Sequence, residues 1–237
     1  MSQTFSISRY GALLRRYLVE NRKQLLFLTA TMWGVMMITA FYMGRWEAKT
    51  LFAYEELRFK TLEDLFMVLT MESIAFACLW SANAFFSLRS KQMRITTLMA
   101  PASMVEKYLV RLTVYVIGFF MAFVIGTIPA CGAHYIWMSQ FDVSPIKYLT
   151  MWHYFHNGSF SILLALQAMY LFGGVIWPKF SFFKTFLAQF VIMLIFSMPI
   201  HEGISLFKEW FFIGVAVICY ALAWWRFRRV QVIQRFM

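Results

Sequence analysis

The sequence has 237 residues, of which 61% are hydrophobic and only 14% are charged. An ordinary soluble domain is roughly 45–50% hydrophobic and 25% charged, so this composition excludes a typical water-soluble fold. The formal net charge of +11 would suggest a nucleic-acid partner in a soluble protein. In a membrane protein, an excess of Lys and Arg in the cytoplasmic loops, near the lipid headgroups, accounts for such a charge. We therefore expect membrane lipid, and no nucleic acid, around this chain.

The first predicted element is a surface helix over residues 4–23. Tyr10, Leu13, Leu14, Tyr17 and Leu18 recur at i, i+3, i+4, i+7 and i+8, and charged residues occupy the other faces. This spacing predicts an amphipathic helix that lies on the cytoplasmic membrane surface. The sequence favours a membrane anchor, and the alternative is a helix that also docks a cytoplasmic subunit.

Six apolar segments follow that can cross a membrane. They lie near 24–43, 65–87, 112–131, 159–177, 185–200 and 210–225. The last two are short, since each spans about 24 Å of helix against a hydrocarbon core of about 30 Å. The chain between Lys184 and Arg226 could nevertheless form about 60 Å of helix. We therefore predict a tight hairpin whose turn contains His201 and Glu202.

Positive charge is distributed unevenly between the two sides of this arrangement. With the N-terminus in the cytoplasm, sixteen Lys and Arg residues fall in inside segments and six in outside segments. The positive-inside rule then predicts that both termini are cytoplasmic. The predicted fold class is an all-α polytopic membrane helix bundle, one domain over 1–237, with about six transmembrane helices.

The predicted cytoplasmic loop 88–107, between the second and third spans, holds the most informative pattern. Ser103 and Glu106 form a Ser-x-x-Glu capping box, which predicts a helix that begins at Met104 and continues into the third span. Pro101 disfavours helical backbone at the residue before it. Any helix earlier in the loop is therefore a separate short element along the membrane surface, suited to contact a soluble partner.

The order of residues in this loop is also informative. From its N-terminal to its C-terminal end the loop contains Lys91, Arg94, Thr96 or Thr97, Leu98, Pro101, Ser103 and Lys107. This order resembles the cytoplasmic loop of ABC-2-type transporter permeases, in which a basic residue and Thr precede a Leu-rich turn, Pro, Ser and Lys. The six-span layout with both ends inside is similar to that family. Two positions differ from the family's pattern: Ile95 replaces the Gly that usually precedes the Thr, and the segment from Thr97 to Pro101 is shorter than the usual one.

The resemblance implies a permease of the bacterial cytoplasmic membrane that forms a homodimer, or a heterodimer with a second permease. It also implies that a separate ATP-binding subunit drives transport by contacting this loop. The residues assigned to that contact are Arg89, Lys91, Arg94, Thr96, Thr97 and Leu98. No Gly-x-x-x-x-Gly-Lys-Ser/Thr motif occurs in the sequence, so ATP and Mg²⁺ would bind the partner and we expect no cofactor in this chain.

Polar residues within the predicted spans are few. Glu72 lies roughly two turns, about 11 Å, below the outer end of the second span. A carboxylate at this depth is costly and marks a candidate functional residue, although protonation or a hydrogen bond to a neighbouring helix would also explain it. Asn83 lies deeper in the same span, and we expect it to hydrogen-bond across helices.

Small residues recur at every fourth position in two predicted spans. They are Ser73, Ala77 and Ser81 in the second span and Gly118, Ala122 and Gly126 in the third. Such faces allow helices to approach closely, so we interpret them as packing surfaces first and pore linings second.

Motifs for metal binding and catalysis are missing. The four histidines, all on the predicted exterior side, are His134, His153, His156 and His201. Without paired cysteines, interfacial hydrogen bonding is the better interpretation of these side chains. The His-Glu-x-x-His and Gly-x-Ser-x-Gly motifs do not occur, so we expect no enzyme.

The sequence therefore favours the permease subunit of an ABC-2-type exporter. Two alternatives stay open. One is a non-transporting membrane scaffold or accessory subunit of a larger complex. The other is an ion-coupled carrier in which Glu72 handles the ion.

Overall fold

The computed structural model describes residues 5–51, 60–89, 92, 95, 102–141, 148, 159–197 and 208–233. These residues are mostly helical and contain no strand, which confirms the all-α fold class for the described part. The helices are α1 (Ile7–Glu20), α2 (Arg22–Leu51), α3 (Lys60–Ala82), α4 (Met104–Leu112), α5 (Gly118–Met138), α6 (Ser159–Ile176), α7 (Ser181–Ser197) and α8 (Lys208–Ile233). A π-helical segment, Thr113–Ile117, joins α4 to α5, and 3₁₀ segments lie at Phe86–Leu88 and Ser139–Phe141.

Four helical stretches are long and apolar enough to cross a membrane. They are Arg22–Lys49, Leu62–Leu88, Met104–Phe141 and Trp210–Arg229, with 28, 27, 38 and 20 residues. The apolar helices α6 and α7 have 18 and 17 residues, somewhat fewer than the ~20 of a typical span. The long apolar helices indicate a membrane-embedded helical protein, and six spans stay a prediction.

Several helices run past the ends of the predicted spans. α2 continues to Leu51, α7 begins at Ser181, and α8 continues to Ile233. Hydropathy marks only the part of a helix that suits the hydrocarbon core, so a polar continuation of the same helix is not included in a predicted span. The predicted hairpin turn with His201 and Glu202 lies outside the described residues.

The chain forms two compact units. The first unit consists of Met1–Asn21, Ala77–Gly118 and Ser161–Met237, and the second consists of Arg22–Phe76 and Phe119–Phe160. In the first unit, Ala165 and Ala168 of α6 pack with Ala216 of α8 in a small core. On α6, a Cβ at Gly173 would overlap the side chain of Thr185, so α6 and α7 approach closely there.

The predicted small-residue faces are packing surfaces for the most part. Ser73, Ala77 and Ser81 are all fully buried. On α5, Gly126 is buried, and Gly118 and Ala122 are half-buried. In the second unit, Trp33 of α2 lies over Gly126 and donates its indole N–H to the Ala122 carbonyl at 2.8 Å.

Substitution of Gly126 by Ala is expected to destabilise the protein, because the added Cβ would overlap the Trp33 ring. Overpacking of this kind costs about 1–3 kcal/mol, which thermal unfolding in detergent would detect as a lower Tm. Gly132→Ala is the matched control in the same helix, since nothing lies within 4 Å of the Cβ position there. An equal Tm for the two variants would contradict the close approach of α2 and α5.

Candidate functional site: the junction of α1 and α4

The apolar face of α1 contacts the protein. The Tyr10 hydroxyl lies 2.5 Å from the Thr113 hydroxyl, and the Tyr17 hydroxyl donates to the Tyr115 hydroxyl at 3.3 Å. The helix predicted over 4–23 is present as Ile7–Glu20, but much of its apolar stripe faces the start of the third predicted span. Periodicity identifies an apolar face without indicating what covers it.

Glu106 is fully buried and caps two helices. The capping box predicted from the sequence is present, because Ser103 Oγ accepts the Glu106 amide at 3.2 Å and Glu106 Oε2 accepts the Ser103 amide at 2.8 Å. The other oxygen, Oε1, accepts the amide of Ser6, the N-cap residue of α1, at 2.8 Å. One carboxylate thus pairs with unsatisfied N-terminal amides of both α4 and α1.

Arg9 completes the environment of this carboxylate. Its Nη2 lies 3.3 Å from Glu106 Oε1, and the Arg9 side chain is 38% exposed. A partly exposed ion pair contributes little by itself. The two backbone amides matter more, because removal of their acceptor would leave buried donors unsatisfied.

Arg111, four residues after Lys107 on α4, is one of the largest fully buried side chains among the described residues. Its Nη2 donates to Ser87 Oγ at 2.9 Å, and its guanidinium carbon lies 5.0 Å from the ring centre of Phe85 and 4.8 Å from that of Phe227. It also interacts electrostatically with the Tyr17 and Tyr115 phenol oxygens. Nε and Nη1 are buried without a hydrogen-bond partner.

No carboxylate within the described part of the chain forms an ion pair with Arg111. A buried cation without a carboxylate is costly, and contacts with two ring faces offset this cost only in part. Arg111 nevertheless joins α4 to α8 and to the turn after α3. We call the residues around Glu106 and Arg111 the junction cluster: Ser6, Arg9, Tyr17, Phe85, Ser87, Ser103, Glu106, Arg111, Tyr115 and Phe227.

The π-helical segment after Arg111 has its own side-chain donors. Trp80 Nε1 donates to the Val114 carbonyl at 3.4 Å, and Gln167 Nε2 donates to the Tyr115 carbonyl at 2.7 Å. A π turn shifts the backbone hydrogen bonds from i+4 to i+5 and leaves carbonyls that need other donors. Trp80 and Gln167 supply such donors from α3 and α6.

Only Arg89 of the six residues assigned to the ATPase contact lies within the described part of the chain. It is exposed, its Nε donates to the Pro178 carbonyl at 3.3 Å, and its guanidinium carbon lies 5.0 Å from the Phe86 ring centre. The other five lie outside the described residues, and their role stays a prediction. They are Lys91, Arg94, Thr96, Thr97 and Leu98.

The polar candidates of the second span form hydrogen bonds of two kinds. Glu72 Oε1 accepts the Thr39 hydroxyl of α2 at 2.6 Å, a bond to a neighbouring helix as one interpretation of the sequence allowed. The prediction that Asn83 bonds across helices was wrong, because its Nδ2 donates to the Leu79 carbonyl of its own helix at 2.8 Å. The backbone N–H of Asn83 donates to the Trp80 carbonyl and not to the Leu79 carbonyl. The Leu79 carbonyl is therefore available to accept from the Asn83 side chain.

His134 is the one histidine within the described residues, and it is fully buried. Its Nε2 lies 2.8 Å from Glu47 Oε2, and its Nδ1 lies 2.8 Å from the Tyr148 hydroxyl. His134 is therefore hydrogen-bonded through both ring nitrogens, and its position at a membrane interface stays a prediction. Where the structure is described, no group of three His, Cys, Asp or Glu side chains could hold a metal ion.

Comparisons with known proteins give no assignment. No protein-family model matches the chain, and neither curated proteins nor solved structures yield a match.

Substitution of Glu106 by Ala is expected to release α1 selectively. The variant leaves the Ser6 and Ser103 amides without their acceptor, at a cost of about 1–3 kcal/mol for a buried group. Amide hydrogen exchange of α1, followed by mass spectrometry, should accelerate about tenfold or more.

Glu20→Ala is the control for this variant. Glu20 pairs with Arg16 on the exposed side of the same helix at 2.6 Å, and an exposed i,i+4 pair contributes only about 0.3–0.5 kcal/mol. If α1 exchanged equally fast in both variants, Glu106 would not be what holds α1 in place.

Arg111→Met is expected to keep or raise the Tm, whereas Arg111→Lys is expected to lower it. Met removes a buried charge that lacks a carboxylate and fills the space between the two rings, a change that is often neutral or stabilising by about 1–4 kcal/mol. Lys keeps the charge but loses the flat stacking and the forked donors. A larger loss of Tm for Met than for Lys would show that the positive charge itself stabilises the fold.

Proposed function

We propose that this chain is the membrane-spanning permease subunit of an ABC-2-type exporter. It crosses the bacterial cytoplasmic membrane six times with both termini inside, dimerises, and moves its substrate outward when a separate ATP-binding subunit closes. The observation that supports this best is the anchoring of both ends of loop 88–107 in the junction cluster. Phe85 and Ser87 precede the loop, Ser103 and Glu106 lie near its C-terminal end, and Arg111 follows it.

A coupling loop has to transmit displacement to the helices that follow it. A push on loop 88–107 reaches α1 through Glu106, and it reaches α8 through Arg111 and through Tyr108, whose hydroxyl donates to the Tyr220 carbonyl at 2.8 Å. Packed side chains transmit such displacement because close-packed interiors deform little.

The π-helical segment Thr113–Ile117 is suited to act as the hinge of this movement. Short π turns are frequent at functional sites because the hydrogen-bond ladder can shift by one residue there. A shift would change which carbonyls need Trp80 and Gln167 as donors. In the proposed cycle, loop movement and this shift occur together.

The test is co-expression with any P-loop ATPase that the genome encodes next to this gene, followed by affinity purification in mild detergent and an ATPase assay. A permease should retain the ATPase, stimulate ATP hydrolysis and lose stimulation when residues 89–99 are replaced by Ala. Arg15→Ala and Arg16→Ala, on the exposed side of α1, are the matched controls and should keep it.

Two outcomes would overturn the proposal. Failure to recover any ATP-binding subunit, together with no stimulation of hydrolysis, would exclude an ABC permease. Recovery of a partner complex with unchanged ATP hydrolysis, before and after substitution of 89–99, would favour the non-transporting scaffold.

A further inference from the structure

The turn between α6 and α7 holds an exposed aromatic side chain in an unfavourable backbone conformation. Phe180 has a φ of 56° and is the only non-glycine residue with a positive φ in the described part of the chain. Its side chain is nevertheless 67% exposed. A left-handed backbone costs an L-residue about 1–2 kcal/mol, and Gly would avoid this cost. Packing within the chain therefore does not explain a large aromatic residue at this position.

Two side-chain hydrogen bonds fix the backbone of this turn. The buried Ser181 donates its hydroxyl to the Ala82 carbonyl, at the end of α3, at 2.8 Å. Arg89, which follows α3 and the 3₁₀ segment, donates from Nε to the Pro178 carbonyl at 3.3 Å. The conformation of the turn is thus set by its contacts with neighbouring segments. A ligand that binds a turn fixed in this way loses little free energy on ordering it.

Three basic side chains lie around Phe180. Arg89 bonds to the carbonyl of the residue before Lys179, and the Lys184 amide donates to the Phe180 carbonyl at 3.1 Å. All three cations are exposed, and in the described part of the chain no carboxylate forms an ion pair with any of them. We call Arg89, Lys179, Phe180, Phe183 and Lys184 the basic turn patch.

The patch continues into an exposed apolar face of α7. Phe183, Phe186, Leu187 and Phe190 are 69%, 55%, 64% and 52% exposed. In a membrane-embedded protein, an exposed aromatic face on an apolar helix contacts acyl chains, and aromatic rings are enriched at the level of the headgroups. Positive charge at the start of such a helix therefore fits an amphiphile with an anionic head. A zwitterionic headgroup brings its own cation and compensates less of this charge.

We propose that the basic turn patch binds one anionic phospholipid of the phosphatidylglycerol type. Its phosphate is held by Arg89, Lys179 and Lys184, its acyl chains lie along the exposed face of α7, and the Phe180 ring lies between headgroup and chains. Basic pockets between membrane helices bind anionic headgroups in this way. The inference goes beyond the proposed function, since a scaffold would bind the lipid as a permease would.

The experiment uses the full chain, purified in detergent and delipidated, and measures lipid binding by native mass spectrometry. We expect the first dioleoylphosphatidylglycerol to bind about tenfold or more tightly than dioleoylphosphatidylcholine, which has the same chains. Equal affinity of the two lipids would overturn the proposal. Phosphatidylglycerol should also raise the Tm in detergent, whereas inorganic phosphate should not. An equal rise with inorganic phosphate would assign a site for a free anion instead of a lipid.

Charge variants test the position of the site. Lys179→Gln and Lys184→Gln should each weaken phosphatidylglycerol binding about fivefold, the equivalent of about 1 kcal/mol, and should leave phosphatidylcholine binding unchanged. Arg15→Gln and Arg228→Gln are the matched controls, because each removes one exposed positive charge elsewhere in the same unit. If the controls weakened binding as much, the attraction would be diffuse and the site would be excluded.

Phe180→Gly separates lipid binding from the stability of the fold. Gly adopts the positive φ without steric cost, so the Tm in detergent should be unchanged or higher. Loss of the ring should nevertheless weaken phosphatidylglycerol binding about fivefold. Unchanged lipid affinity in this variant, whatever its Tm, would contradict the placement of the ring against the lipid. Lipid binding without ATPase stimulation would keep this inference and overturn the exporter, and ATPase stimulation without lipid selectivity would do the reverse.

Discussion

The hydrogen bonds of the Glu106 carboxylate are the interaction on which the arrangement of α1 and α4 depends. Every helix begins with amides that lack intrahelical acceptors, and Glu106 accepts from Ser103 at the start of its own helix and from Ser6 at the start of α1. A buried carboxylate is tolerated only when donors surround it. The two helix starts supply those donors, so burial of the acid and docking of α1 stabilise each other.

Arg111 lies a little more than one turn further along the same helix, and its hydrogen bonds are less completely satisfied than those of Glu106. Glu106 has strong, directional donors, whereas Arg111 has the Ser87 hydroxyl, the phenol oxygens of Tyr17 and Tyr115 and two aromatic faces as partners. Its Nε and Nη1 are buried without a hydrogen-bond partner. A side chain that is only partly satisfied can change partners at lower cost than one that is fully satisfied. Along the chain, the fully hydrogen-bonded Glu106 comes first and the partly satisfied Arg111 second. The π-helical segment Thr113–Ile117 begins two residues after Arg111.

Local patterns were predictable from the sequence, and contacts between distant residues were not. The capping box at Ser103 and Glu106 depends on four adjacent residues, and the period of α1 depends on its own 14 residues. That the same Glu106 also accepts from Ser6, a hundred residues earlier, leaves no local signal. At Asn83 a local effect overrides a general tendency. The carbonyls at the end of α3 lack amide donors, so the Asn83 side chain donates within its own helix, although polar residues in spans tend to bond across helices.

The second unit handles buried charge differently from the junction cluster. Glu47 Oε2 lies 2.8 Å from the buried imidazole of His134, and Glu72 Oε1 accepts the Thr39 hydroxyl at 2.6 Å. Both contacts join α2 to a neighbouring helix within this unit, whereas the Glu106 carboxylate joins the starts of two helices.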